Sequence, residues 1–435
     1  MTLNRFPTDP HGWAELLAPC PPRPTVKEDL SVDWVVVGAG VTGLACAKRL
    51  AEENPCTEIL LLEAREIAQG ATARSSGFAM DNSRFGGPVS NLDIANCQRV
   101  NRINRAGLSL LRDIVMANEI ACDWREEGLY HVAADTQSKA EYLYYVAYLR
   151  QLEIDHSELS ETELTHLLGT SHYSKGLSVA NGALVQPAAL ARGLADHLPA
   201  NVTLFENAPV LEIRQGQVHE LQLPHAIIRA ANICLATNYE IARLGFLKNR
   251  ITGIVLSGSI TRQLSVEEMS QLGCLVDWGA LSLHDTGATV RLTVDRRICI
   301  RNCAEFRFSR MLSDHDLSSR VSQHRAGFEA RFPQLAHVPF EFSWSGVEGL
   351  SRNTTNFFGN LAPRIWFAGG YNGSGLSRGT AFGTAMADYA LDNDTDLVFD
   401  CLETAPAQWM PPEPFRSFGG NLVTRRHATN VGADR

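Results

Sequence analysis

The 435-residue sequence lacks several features that would assign it to a broad class. It has no run of about 18 or more consecutive apolar residues, the length a bilayer-spanning helix needs, so no integral membrane segment is expected. Its ten cysteines contain no C-x-x-C pair and its thirteen histidines no H-E-x-x-H or H-x-H cluster, so no metal site is expected. The two nearest cysteines, Cys299 and Cys303, are expected at opposite or adjacent strand positions. Scattered thiols of this kind fit a reducing compartment, and the expected location is cytoplasmic. The residues MTLNRFPTDPHGWAELLAPCPPRP at the start carry prolines and polar groups where a secretory signal requires a continuous apolar core. Basic residues are outnumbered, 39 against 48 acidic, and no basic stripe offsets the net charge of -9. That balance argues against nucleic-acid binding. Lysine is scarce, with only Lys27, Lys48, Lys139, Lys175 and Lys248.

What is present is an ordinary globular composition, 45% hydrophobic and 20% charged, over a length that suits two or three domains. The most informative stretch is residues 32–63, VDWVVVGAGVTGLACAKRLAEENPCTEILLLE. An apolar strand through Val35, Val36 and Val37 runs into Gly38-Ala39-Gly40-Val41-Thr42-Gly43, then a helix with apolar Leu44, Ala47, Leu50 and Ala51, then a second strand ending at Glu63. In this pattern the first glycine permits a tight turn, the second lets a pyrophosphate approach the backbone, and the third lets helix and strand pack closely. The helix start presents free N–H groups to the phosphates. An acid at the end of the second strand accepts the hydroxyls of an unphosphorylated ribose, so FAD or NAD is expected in preference to NADP.

After Glu63 come Ala64 and Arg65 and then GATARSSG, a density of small residues and hydroxyls that suits a segment lying against a flat or anionic ligand, with Arg74 and Ser75 in reach of phosphate oxygens. Helical spacing runs through 91–120, 137–151, 161–168, 264–272 and 318–332. ICLATN reads as a buried central strand ending at Thr237-Asn238, and Arg291, Arg297 and Arg301 fall on strands. A second glycine loop, GGYNGSGLS at 369–377, follows the strand IWFA and leads into a helix expected over 380–391. It has no acidic strand end about 20 residues later and is a poor second dinucleotide fingerprint. Its better use is a helix dipole aimed at the pyrimidine end of a flavin.

Taken together, GAGVTGLACAKRL with LLLEA, GATARSSG, REEGLYHVA, GALVQPAAL, ICLATN and FAGGYNGSGLSRGT resemble the FAD-dependent D-amino-acid oxidase superfamily of glycine, sarcosine and D-amino-acid oxidases and dehydrogenases. ATVRLTVDRRI, WSG followed by GLSR, and PPEPF are similar to the gamma-glutamylputrescine oxidoreductase branch. The resemblance implies an α/β, two-domain fold: a glutathione-reductase-type Rossmann FAD domain and a mixed-sheet substrate domain. The expected division is an extension over 1–31, proline-rich and aperiodic and so read as a surface segment or partly flexible arm, a discontinuous FAD domain over 32–92, 182–240 and 341–395, a substrate domain over 93–181 and 241–340, and a tail over 396–435. The implied reaction oxidises the C–N bond of an amine or amino acid, hydride passing to flavin N5 and the imine then hydrolysing. The acceptor is oxygen or a quinone or electron carrier; some relatives place a lysine over the flavin for oxygen, and no lysine falls in the flavin-lining blocks here. Two other readings share the FAD domain: a 2-hydroxy-acid dehydrogenase, and a flavoprotein with a structural or assembly role.

Residue by residue, the resemblance implies Gly38, Gly40, Val41, Thr42 and Gly43 at the pyrophosphate, Glu63, Ala64 and Arg65 near the adenosine, and Val210 at the adenine. It puts Thr72, Arg74, Ser75 and Ser76 along phosphates and ring, and Gly370, Gly373, Gly375, Leu376 and Ser377 at the flavin. Departures bear on substrate. Ser374 stands where many relatives have histidine, and residues 347–352 hold no cysteine, so noncovalent FAD is expected. The position used elsewhere for a carboxylate-binding arginine corresponds to Glu348 without a gap and to Arg352 with one. Glu348 suits an ammonium and Arg352 an acidic group. Arg301 and Asn302 stand where relatives often carry glycines.

Overall fold

Consecutive apolar residues at 35–37 and 59–62 are buried on both faces, the mark of central parallel strands. In the computed structural model, which describes residues 10–180, 182–284, 286–306 and 311–435, these strands lie at the middle of an eight-stranded sheet. Its main order is Phe357–Ala362, Ile365–Gly369, Ile227–Leu235, Leu30–Val37, Ile59–Leu62, Val202–Phe205. All neighbours are parallel except the edge strand Phe357–Ala362, and Glu212–Arg214 and His219–Gln222 add an antiparallel flap. Helix Val41–Glu53 connects the first two strands, and the 91–120 periodicity becomes one helix, Ile94–Ala117, started by the Asp93 side chain accepting from Asn96 N–H.

A second eight-stranded sheet runs Phe340–Ser351, Ile251–Thr261, Ile298–Glu305, Thr289–Leu292, Trp278–Ser282, Leu129–Ala133, Lys175–Val179, His156–Ser160. Only the Trp278–Ser282 and Leu129–Ala133 pair is parallel. Helix Asp314–Arg331 covers one face of this sheet, burying His324 and Phe328. The molecule is therefore an α/β protein built on two large sheets of mixed strand orientation, with Phe78–Met80 and Gly182–Leu184 forming a separate two-stranded ribbon.

Three segments sit differently from the division expected along the chain. Strand Phe340–Ser351 pairs along its length with Ile251–Thr261 in the second sheet, so that sheet extends about a strand beyond residue 341. The described part of the N-terminal extension is not a surface arm. Trp13 is 1% exposed and packs edge-on against Trp344, with centroids 6.1 Å apart, and under the Arg291 guanidinium at 5.5 Å. His11 Nε2 bonds the Ala68 carbonyl at 2.8 Å. The expected tail is anchored as well: Asp434 is fully buried, accepting from Ser282 Oγ at 2.8 Å, while Arg331 donates to the carbonyls of Asp434 and Arg435.

Candidate active site

The C-terminal ends of the parallel strands open on a cavity of about 380 Å³, the position where open α/β sheets hold ligands. The second sheet closes its other side.

Backbone shapes the first wall. Gly38 has a φ of +98°, and a Cβ there would stand 2.8 Å from the Ala236 carbonyl oxygen. Gly43 does not line the cavity; its Cβ would meet the Gly38 carbonyl oxygen at 1.7 Å, so glycine is what lets helix Val41–Glu53 begin directly behind the turn. Gly40, at the N-cap, offers no capping side chain, and Gly40, Val41 and Thr42 line the cavity at the helix's positive end. Val41 N–H donates to Thr72 Oγ1 at 3.1 Å. Glu63 accepts from Ala39 N–H and Arg65 N–H, each at 3.0 Å, which fixes its carboxylate at the cavity edge beside Ala64 and Arg65. Val210 lines the same end. Ser75 and Ser76 do so with Thr72. Arg74 contributes to the wall, but its guanidinium donates to the Gln69 carbonyl and to the Ser345 carbonyl, each at 3.0 Å. It ties the loop to strand Phe340–Ser351.

The second glycine loop opens helix Gly375–Ala390, five residues earlier than the expected 380, so Leu376 and Ser377 lie in its first turn. This helix packs on Val41–Glu53 because Gly379 and Gly383 have no room for a Cβ, which would meet Thr42 Oγ1 at 2.9 Å and the Thr42 carbonyl at 2.2 Å. Two helix N-termini thus converge on one cavity. Gly373, Gly375 and Leu376 line it, whereas Gly370, Ser374 and Ser377 do not. Gly370 shapes the turn with φ +78° and donates to Asn238 Oδ1 at 2.9 Å; Ser377 is buried under Gly107.

Side chains form the opposite wall. Alternate residues of neighbouring strands share one face: Trp344, Gly346 and Glu348 stand opposite Gly258, Leu256 and Ile254, and Arg301 stands opposite both Gly258 and Thr289. All of these except Ile254 line the cavity. Glu348 Oε1 is buried with no hydrogen-bond partner among the described residues. Burial raises this carboxyl above the usual glutamate range, opposed by Arg301, the Gly373 backbone and Arg378. Arg301 has its charged form disfavoured by burial, with Glu348 acting the other way. Arg352 is exposed, donates to the Trp409 carbonyl at 3.4 Å and stands outside the cavity. Of the two alternatives at that position, Glu348 is the one inside.

His131 and His284 are also outside, His131 packed edge-on against Tyr145 with its pKa lowered to about 3 by burial. The wall further includes Thr237, Asn238, Tyr239 and Arg243, which the sequence reading passed over. Their signal was available, since ligands sit beyond the carboxyl ends of parallel strands and ICLATN ends there. Leu281, Thr289 and Cys299 had no such signal, because their facing depends on strand register.

The residues fit a bound dinucleotide: an uncapped helix start behind a glycine turn, an acid beside it, and a buried wall hydroxyl, Thr237 Oγ1, without a partner among the described residues. The model of the family described as DAO, FAD dependent oxidoreductase, matches residues 33–389. The sequence is 24% identical to the probable oxidoreductase OrdL of Haemophilus influenzae, over 94% of this chain and 92% of that protein. It is 24% identical to the gamma-glutamylputrescine oxidoreductase of Escherichia coli, over 94% and 96%. The fold is similar to glycine oxidase from Geobacillus kaustophilus, with a TM-score of 0.70, 18% identity, and coverage of 84% of this chain and 96% of that one.

Proposed function

The chain belongs to the DAO family of FAD-dependent oxidoreductases, and from that premise we propose that it oxidises the C–N bond of an amine or amino acid in the cavity between its two sheets. The observation that carries this reading is Glu348, a carboxyl group with an unpartnered oxygen in the same cavity as the dinucleotide cradle. FAD bound in that cradle supplies the acceptor for a hydride. The protein's part is to bind the ammonium group, take one of its protons and keep the reacting carbon dry. Glu348 Oε1 accepts that proton, leaving a neutral amine whose C–H bond gives up hydride; the resulting iminium adds water and releases a carbonyl compound and ammonia or a smaller amine. A carboxyl raised by burial suits the task, because its proton affinity lies closer to neutral pH than that of an exposed glutamate.

Noncovalent FAD is supported by the thiols. Among the described residues the cavity has one cysteine, Cys299, whose pKa burial pushes up to about 12, so it stays an unreactive thiol. Oxidation of a 2-hydroxy acid would call for a base on a hydroxyl, usually histidine, and no histidine is among the described wall residues. None of the five lysines lines the cavity either, which favours a quinone or electron carrier over oxygen as acceptor.

The test is anaerobic mixing of the FAD-loaded protein with amines, D- and L-amino acids and 2-hydroxy acids while following flavin absorbance. Bleaching by amines or amino acids is expected. Bleaching by hydroxy acids alone would refute the reading, and a flavin reduced only by dithionite would point to the structural or assembly role.

A further inference from the structure

Helix Gly375–Ala390 carries an arginine in its first turn, Arg378, which is 4% exposed. A helical side chain leans back toward the start of its helix, and the guanidinium does so here. Its Nη1 donates to the Tyr371 carbonyl, ahead of the helix, at 3.1 Å and to Asn356 Oδ1 at 3.4 Å. Its Nε donates to Asn104 Oδ1 at 3.0 Å, and Nη2 donates to Ser83 Oγ. The charge therefore sits beside the second glycine loop. Tyr371, Gly373, Gly375 and Leu376 line the cavity, and Arg378 lies behind them.

All four of these acceptors are neutral. Among the described residues no carboxylate forms an ion pair with Arg378. The one acid of its helix, Asp388, takes Arg49 Nε at 2.7 Å. Asp81, close to Ser83 in the chain, takes Asn82 Nδ2 at 2.7 Å and has Arg105 at 4.0 Å. Burial lowers the Arg378 pKa to about 10, so the group is still a cation at neutral pH.

A charge removed from water without a counter-ion destabilises a fold unless hydrogen bonds offset the loss. Here a network does so. Asn104 Nδ2 also donates to Ser83 Oγ at 3.0 Å and Asn356 Nδ2 to the Gly370 carbonyl at 2.8 Å, so segments far apart in sequence converge on one guanidinium. A neutral side chain could fill the same space; what the arginine adds is positive charge. A helix start already presents about half a positive charge, and Arg378 places a full one beside it, away from the water and salt that would screen it.

We propose that Arg378 raises the electron affinity of the bound flavin, acting from behind the glycine loop on the negative charge that the ring gathers when reduced. Protein charge near the flavin ring is one of the means by which a fold tunes this cofactor. The inference rests on FAD lying across the start of helix Gly375–Ala390 and not on which substrate is oxidised.

The experiment measures the two-electron midpoint potential of the FAD-loaded protein against a reference dye, with no substrate present. Arg378→Met removes the charge at similar volume and should shift the reduction equilibrium about tenfold toward oxidised flavin, about 30 mV. That is the effect of a unit charge about 10 Å away at an effective dielectric constant of about 20. Arg378→Lys keeps the charge and loses the planar fork, and should stay within about threefold of wild type. Asn104→Asp leaves the arginine in place and sets a carboxylate against its Nε; the potential should fall as in Arg378→Met, with FAD content unchanged. A role limited to bracing the loop predicts a different pattern, with Arg378→Lys as low as Arg378→Met and Asn104→Asp at the wild-type potential, and that pattern overturns the proposal. If Arg378→Met does not retain FAD, Asn104→Asp decides alone; loss of FAD from both also overturns it. A potential that follows the charge series in a protein reduced by no amine keeps this proposal and removes the amine reading, and amine turnover with a flat series does the reverse.

Discussion

The two walls of the cavity are built from different material. The wall on the parallel sheet is backbone: glycines at 38, 40, 373 and 375, two helix starts, and one acid held by two N–H groups. The wall on the second sheet is side chains, with Trp344, Glu348 and Arg301 projecting from alternate strand positions. On the proposed function, the first would recognise what every dinucleotide shares, phosphate and ribose, and the second would carry the charges by which one substrate differs from another. A backbone wall fails when a Cβ is added; a side-chain wall fails when a group is removed or its support gives way.

Substitutions test that contrast. The largest loss of stability is expected from Trp13→Ala, which empties the space behind Trp344 and removes the ring under Arg291: about 4 kcal/mol by denaturant titration, as for other buried tryptophans, with FAD still bound by what folds. If FAD is lost first, the walls are not separable. Gly43→Ala places a methyl group 1.7 Å from the Gly38 carbonyl oxygen and should cost about 3 kcal/mol together with the cofactor. Gly40→Val sharpens the point, because its nearest neighbour is only Thr72 Oγ1 at 3.1 Å from the added Cβ. This variant should purify colourless with a melting temperature close to that of wild-type apoprotein, and full yellow colour would remove residue 40 from the phosphate cradle.

Glu348→Gln should act in opposite directions on function and stability. The Michaelis constant for cationic amines should rise about tenfold, and the folded state should gain about 1 kcal/mol at neutral pH. The sign follows from the raised pKa. The folded protein holds the Glu348 proton to a higher pH than the unfolded chain, so stability falls as pH climbs from the unfolded value through the folded one and stays lower above it. The glutamine advantage should therefore vanish in melts below the ordinary glutamate pKa. An unchanged amine profile would take Glu348 out of the pocket.

The same contrast explains what could be read from the sequence. The first wall was legible because tight turns and close approach demand glycine at fixed spacing, and the strands around it are unbroken apolar runs. Helices Thr136–Gln151 and Glu161–Leu168 also lie where their periodicity put them. The second wall depends on pairing between strands far apart in sequence. Arg352 and Glu348 were equally plausible until strand Phe340–Ser351 was paired along its length with Ile251–Thr261. The inward facing of Arg301 is set by its pairing with Gly258 and Thr289 on the two neighbouring strands, which no local pattern announces. Trp13 was hidden by its proline-rich surroundings, which read as an arm.

One consequence lies in how the chain becomes a protein. Thr42 and Tyr371, 329 residues apart, share a hydrogen bond of 2.8 Å where the two glycine loops meet. The half of the cradle around the first glycine loop is made early in synthesis and the other half only after most of the chain has emerged, so closing it is a contact of very high sequence separation, the slow kind. Any ligand that bridges both loops binds the folded chain alone and draws the population toward it. Flavin supply during expression should thus govern the yield of folded protein as well as its colour.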